Sequence, residues 1–276
     1  MRFTVLGSGS TGNAVLISAE KTNILVDAGL SAKEILRRIA LVGLTGEQID
    51  GVLVTHEHGD HAGGLRVLLK TLNCPVFISG KTKDAYFSTR KGIRDGESES
   101  SKRRTVLQNR TVEIDSGKDF RIGAIDFHPF SVPHDAADNF GFVAEWCGVK
   151  IATLMDFGHV TTLIKEKLRS CDGIVIESNH SRDMLKTCPI YTWELKQRIL
   201  SRTGHLSNED LSEWLTNDFD GTARDIVLAH LSQRANEPHL ARLMAESALE
   251  MRPDFFKAET KITLSRAKDP TDWIEY

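Results

Sequence analysis

Three short apolar runs open the chain, "RFTVL", "NAVLIS" and "NILVD", rich in β-branched residues and parted by turn-like text, and they predict strands. "SAKEILRRIALVG" then recurs at helical spacing behind Ser31, a natural N-cap, and predicts an amphipathic helix. "GVLVT" predicts a buried strand that runs straight into "HEHGDH", followed by a helix in "HAGGLRVLLKTL" and a strand in "PVFIS". From Lys81 to Arg104 the text turns polar, and "DGESESSKRR" is its strongest loop signal. Apolar segments "TVEID", "FRIGAIDFHPFSV", "FGFVAEW" and "VKIATLMD" predict more strands. Beyond them helices ("TTLIKEKLRS", "YTWELKQRILS", "SNEDLSEWLTN", "EPHLARLMAESALEM") alternate with strands ("GIVIES", "RDIVLAHL", "KITLS"). A β-rich half followed by an α/β half predicts two sheets packed together with helices outside. The expectation is one domain over 1–276 with a small insertion at 81–105, and with the helix around Trp193 and the "LARLMAESALEM" stripe serving as core.

Composition narrows the class. With 40% hydrophobic and 26% charged residues, the chain has ordinary globular make-up, which excludes disorder. No apolar run is long enough to span a bilayer, and "MRFTVLGSG" lacks the charged-then-apolar build of a signal peptide, so the expected compartment is the cytoplasm. Cys74, Cys147, Cys171 and Cys188 form no close pair or metal knuckle, which predicts reduced thiols. A net charge of −3 argues against a generally basic nucleic-acid coat and leaves room only for a local patch.

The glycine loop "GSGSTGN" raises a specific alternative. Gly7, Gly9 and Gly12 match G-x-G-x-x-G, and Asp27 stands 20 positions after Gly7, where a ribose-binding acid would be expected. A pyrophosphate, however, needs the free N–H groups of a helix N-terminus. Here the loop leads into "NAVLIS", a strand, so dinucleotide binding is disfavoured.

Candidate chemistry centres on histidine. His56, His58, Asp60 and His61 fall within six positions, between a buried strand and a helix, a clustering with no packing rationale. The spacing differs from the four-residue spacing of a helical H-E-x-x-H site. A tight turn can aim His56 and His58 at one metal and Asp60 and His61 at a second. Further ligands are expected at strand ends: His134 in "FSVPHDAADNF", Asp156 in "KIATLMDFGH", whose carboxylate can bridge two cations, and His230 in "RDIVLAHLS". Ligands of this nitrogen and oxygen character suit two divalent ions, Zn or Mn.

His56-x-His58-x-Asp60-His61, followed in order by His134, Asp156 and His230, and preceded by Asp27 at a strand end, resembles the metallo-β-lactamase superfamily. The resemblance covers almost the whole chain. It implies an α/β fold, an αββα sandwich of two mixed β-sheets flanked by helices. It also implies that "GSGSTGN" shapes the first hairpin near the site and that Asp27 orients a ligand histidine. A β-lactamase is disfavoured, since those enzymes carry cysteine where "LMDFGH" supplies Asp156. Two dications, Asp60, Asp156 and a bridging hydroxide leave roughly one net positive charge, which favours an anionic substrate and in-line attack by the hydroxide at phosphorus. "MRFTVLGSGSTGNAVLI", "VIESNHSRDML" and "ELKQRILSRTGHLSNED" are similar to the YycJ (WalJ) branch, whose members are described as double-stranded DNA 5′-to-3′ exonucleases. After His230 the chain departs from that branch, reading "LSQRANEPHLA" in place of an acidic, asparagine-rich turn.

The expected catalytic residues are Asp60, Asp156 and His205, the last placed before a capping Ser207, where it can hold a phosphate or protonate a leaving oxygen. His205 can equally cap and pack. Expected substrate contacts are His180, His205 and Ser207, together with Lys81, Lys83, Arg90 and Lys91 of a segment, 81–104, that carries eight basic and four acidic residues. A solvated helix and loop is the competing reading of that segment. Glu57, His128, His159 and His239 read as structural or surface residues. DNA is the expected partner. Rival readings are a small-molecule hydrolase (a glyoxalase-like thioesterase or cyclic-nucleotide phosphodiesterase), a non-catalytic regulatory metal-binding protein, and an iron-bearing redox relative.

Overall fold

In the computed structural model, which describes residues 1–88, 109–252 and 259–276, alternation along each strand sorts apolar side chains into layers. β1 (Arg2–Gly7), β2 (Ala14–Ala19) and β3 (Thr22–Val26) run antiparallel, and the sheet continues through parallel β4 (Gly51–Leu53), β5 (Val76–Ile78) and β6 (Thr111–Glu113). The second sheet repeats this plan. β7 (Phe120–Ile122), β8 (Ile125–Ser131), β9 (Phe140–Trp146) and β10 (Val149–Leu154) are antiparallel, and β11 (Gly173–Glu177), β12 (Asp225–Ala229) and β13 (Lys261–Leu264) extend it in parallel. β14 (Ile274–Glu275) pairs with β1 on the outer edge, completing two sheets of seven strands among the described residues.

Val5, Val15, Ile17 and Val26 of the first sheet meet Phe127, Phe142, Val175 and Val227 of the second in one central apolar layer. Their neighbours face outward. Leu6, Leu16 and Leu25 pack on α1 (Ala32–Leu41), α2 (Gly59–Ala62), α3 (Leu65–Leu68) and α4 (Gly80–Ser88). Across the molecule, Ile174, Ile226 and Leu228 pack on α5 (Thr162–Leu168), α8 (Asn208–Asn217) and α9 (Pro238–Glu250). Strands covered on both faces must be apolar throughout, which is why they read as continuous blocks in the sequence. The result is the expected αββα sandwich of two mixed sheets.

Several elements differ from expectation. "HAGGLRVLLKTL" breaks into α2 and α3 at Gly63 and Gly64, and Gly64 lies so close to the loop before α1 that a Cβ there would stand 2.0 Å from Leu30 O. "FRIGAIDFHPFSV" folds into a hairpin at Gly123, whose φ is 54°. Between α5 and α8 lie α6 (Arg182–Thr187), which sequence reading did not anticipate, and α7 (Trp193–Ile199). The expectation that α7 is core is corrected: it has no buried residue, and Trp193 is 70% exposed. Its apolar Leu195 and Ile199 line a polar pocket instead. Of the basic segment, Lys81 and Lys83 lie on α4, whereas Arg90, Lys91 and "DGESESSKRR" fall outside the described residues.

Candidate metal centre

Strand ends build this site. Asp27 follows β3, Thr55 to His61 follow β4, His134 follows β8, Asp156 follows β10, Glu177 closes β11 and His230 follows β12. Asp27, Asp156 and His230 adopt φ values of 65°, 58° and 53°, a left-handed conformation that costs any residue with a Cβ. Such cost is tolerated where surrounding contacts hold the residue in place.

Asp156, 1% exposed, sits at the centre. Its Oδ2 lies 3.3 Å from His56 Nε2, 3.0 Å from His61 Nε2 and 3.7 Å from His134 Nε2. Its Oδ1 lies 2.5 Å from His230 Nδ1 and 3.5 Å from His205 Nδ1. Two disjoint groups of donors share this carboxylate, His56, His58 and His134 on one side and Asp60, His61 and His230 on the other, with donor atoms in each within 4.8 Å of one another, and a further set, Glu177 and His205, overlaps the second at His230. His56 Nε2 and His230 Nε2 are buried without a well-aligned hydrogen-bond partner, and so is Asp156 Oδ1 despite its close approach to His230 Nδ1. Orphaned buried polar atoms are costly unless something fills the gap. A divalent ion in each group fits these orphans, and nitrogen and carboxylate donors without thiolate suit ions of the zinc and manganese type.

A surrounding ring of hydrogen bonds aims these side chains. Asp27 Oδ2 lies 2.7 Å from His61 Nδ1, and both Asp27 oxygens accept from the Thr55 hydroxyl, at 3.0 and 2.9 Å. Carboxylate contact to the far ring nitrogen fixes the tautomer and leaves Nε2 toward the site. The glycine loop completes the ring. Asn13 Nδ2 lies 2.9 Å from His61 Nε2, while Asn13 Oδ1 accepts from Gly9 N and from the Ser8 hydroxyl, which in turn accepts from His230 N at 2.7 Å. The glycine loop therefore holds two of the histidines through the side chains of Ser8 and Asn13.

Glu177 is the residue sequence reading missed. Fully buried, its Oε1 lies 2.8 Å from both His205 Nδ1 and His230 Nδ1, and its Oε2 accepts from Phe157 N and Leu206 N. A carboxylate ending the wholly apolar run "GIVI" was the available signal. Burial alone would raise its pKa, but His205 and His230 outweigh that and hold it near 2. Asp156 follows the same logic: burial opposes ionisation, and His230 and His61 nonetheless keep it well below the usual carboxylate range. Burial, aided by the charge of His61, pushes His56 down to about 3, so its ring is neutral and free to donate. Against burial, Asp156 and its neighbouring carboxylates hold His61 and His230 well above the ordinary histidine value. His205 is raised to about 10 because Glu177 and Asp156 overcome its burial.

A pocket of about 240 Å³ opens onto the cluster, lined by Ser10, His58, Asp60, His134, Asp156, His205 and His230, and by Tyr191, Leu195 and Arg198. A family model described as the metallo-beta-lactamase superfamily matches residues 7–140. Exodeoxyribonuclease YycJ of Bacillus anthracis is 34% identical over 250 residues, covering 91% of this chain and 89% of the relative. Exodeoxyribonuclease WalJ of Streptococcus pneumoniae serotype 2 is 33% identical over 261 residues, 92% of each protein. The chain belongs to the metallo-β-lactamase superfamily. Among solved structures, Zn(2+)-bound PqqB from Methylobacterium extorquens shares the fold at a TM-score of 0.70, with 14% identity over 99% of this chain and 100% of that one. As a member of this superfamily the protein is a hydrolase of a metal-dependent family.

Within that frame the anticipated residues separate into two sets. His56, His58, Asp60, His61, His134, Asp156, His205 and His230 converge on one cluster, and Asp27 contacts His61. His180 and Ser207, expected as substrate contacts, are not among the residues lining the pocket. Each is 1% exposed; the Ser207 hydroxyl caps α8 by accepting from Asp210 N at 3.0 Å, and burial pushes His180 down to about 4. On α4, Lys83 is ion-paired with Glu113, and Lys81 is exposed. Glu57 Oε1 accepts from Ala137 N at 2.9 Å, bracing the loop that carries His134. The four cysteines are free thiols, and no helix among the described residues is long and apolar enough to cross a membrane.

Proposed function

We propose that this metallo-β-lactamase-fold hydrolase is a dinuclear phosphodiesterase that shortens double-stranded DNA from a 5′ end in the cytoplasm. The observation that carries the reading is the position of Asp156, one carboxylate facing two groups of histidine and aspartate donors. The names of its YycJ and WalJ relatives, exodeoxyribonucleases, support DNA as the substrate. His56, His58 and His134 would hold one ion, Asp60, His61 and His230 the other, with Asp156 between them. Ions bound there would lower the pKa of a water and neutralise phosphate charge.

The chain's own groups orient the rest of the reaction. His205 is raised to about 10, the carboxylates of Glu177 and Asp156 overcoming its burial, so it enters the neutral range as an imidazolium at the pocket wall. From there it donates to a phosphoryl oxygen or gives its proton to the departing oxygen. Arg198, which also lines the pocket and is paired with Asp135, offers a planar guanidinium suited to phosphate. Lys81, Lys83, Arg90 and Lys91 would meet the flanking backbone as sequence-independent phosphate contacts. The reading is tested by offering the metal-loaded protein labelled duplex DNA beside a thioester and a cyclic nucleotide. Preferential digestion of DNA, with loss of a 5′ label first, is the expected outcome. Turnover of a small substrate with the duplex left intact would overturn it.

A further inference from the structure

We propose that the free edge of the second sheet is a track for the phosphate backbone of DNA approaching the metal centre; this rests on the nuclease reading above. β13 is the last strand of that sheet among the described residues. A groove of about 770 Å³ runs along it, bounded by α9 and by the turn after β12. Ser232 lines both this groove and the metal pocket, so the two are neighbours. Ser8 also lines it, and its hydroxyl holds His230 N at 2.7 Å, which places the groove against the loop that shapes the centre.

Charge identifies the occupant. The lining carries Arg242, Lys261 and Arg266 and neither Asp nor Glu, in a chain whose formal net charge is −3. Arg242 is held by Glu246 at 2.8 Å, but Lys261 and Arg266 are exposed and enter no ion pair among the described residues. Lys261 opens β13, and Arg266 lies just beyond its end at Leu264. Outward N–H groups of an edge strand add neutral donors of the kind that position phosphates. A polyanion lying along β13 would satisfy both features, with its end at Ser232 beside the metal pocket.

The test uses a Lys261→Ala/Arg266→Ala double variant of the metal-loaded protein with a fluorescein-labelled duplex, read for KM and for the salt dependence of binding. The expected result is a KM raised about tenfold and a log-affinity against log-salt slope lowered by about 2, at about 0.9 per lost phosphate contact. Metal content and hydrolysis of bis-p-nitrophenyl phosphate should not change. If the parent cuts the duplex and the variant matches it in KM and slope, the track is overturned while the nuclease reading stands. A parent that hydrolyses the small diester but neither binds nor cuts the duplex overturns both.

Discussion

Asp156 meets three unfavourable conditions at once: a left-handed backbone at φ 58°, burial to 1% exposure, and five imidazole rings within 3.7 Å. No packing role explains that combination, whereas a shared ligand position does. Asp156→Asn keeps the shape and tolerates the left-handed turn, so the fold should persist while charge is lost. Turnover should fall by more than about 100-fold, the upper range for merely supporting residues, with bound metal depleted in elemental analysis. Near-normal activity would rule out a shared ligand. His205 and Glu177 separate two roles. His205→Ala should lower kcat on the order of 100-fold and leave metal content intact. Glu177→Gln should lower both kcat and metal affinity, because the same carboxylate oxygen also steadies His230. Unchanged kcat in His205→Ala would return that histidine to packing.

At the scale of elements, glycine decides how closely the loops approach. Asn13 N donates to Asp60 O at 2.8 Å, Ala28 N to His61 O at 2.7 Å and Gly64 N to Ala28 O at 2.8 Å, tying the first hairpin to the histidine turn. A Cβ on Gly29 would stand 1.6 Å from Asp60 O, so these backbones touch only because the residue is glycine. Gly29→Ala should therefore destabilise the metal-free protein by about 1–3 kcal/mol, the usual cost of overpacking, and weaken metal retention. Chemical denaturation followed by elemental analysis checks both effects. Trp193→Ser on the exposed α7 should stay within about 0.5 kcal/mol of the parent, and a large loss would restore the core reading of that helix. The same elements show what was legible beforehand. Strand blocks and the Ser31 cap could be read from local text, because burial on both faces and capping are local chemistry. The break at Gly63 and Gly64, the exposure of α7 and the partners of Glu177 depend on segments remote in sequence, which no local pattern encodes.

On the scale of the whole molecule, two similar half-sandwiches bring the ends of β3, β4, β10, β11 and β12 to one rim, so ligands scattered from 56 to 230 in sequence meet. That is why the histidine-rich heptapeptide was legible as a metal motif, while His134, Asp156 and His230 needed either the resemblance or the fold to join it. The electrostatics of this assembled rim make a further prediction. Neighbouring carboxylates, working against burial, hold His61 and His230 well above the ordinary histidine value, so both carry protons near neutral pH. Metal must displace those protons, and loading should release about two per molecule and tighten as pH rises. Calorimetry in two buffers of different ionisation enthalpy would register the release; a buffer-independent heat would contradict it. The central claim is tested most directly by reconstituting the protein separately with Mn²⁺ and Zn²⁺ and incubating it with end-labelled duplex DNA beside His58→Ala and Asp60→Ala. Metal-dependent shortening from one end, absent in both variants, is the predicted result. An intact duplex after incubation with protein shown to hold two ions per chain would contradict it.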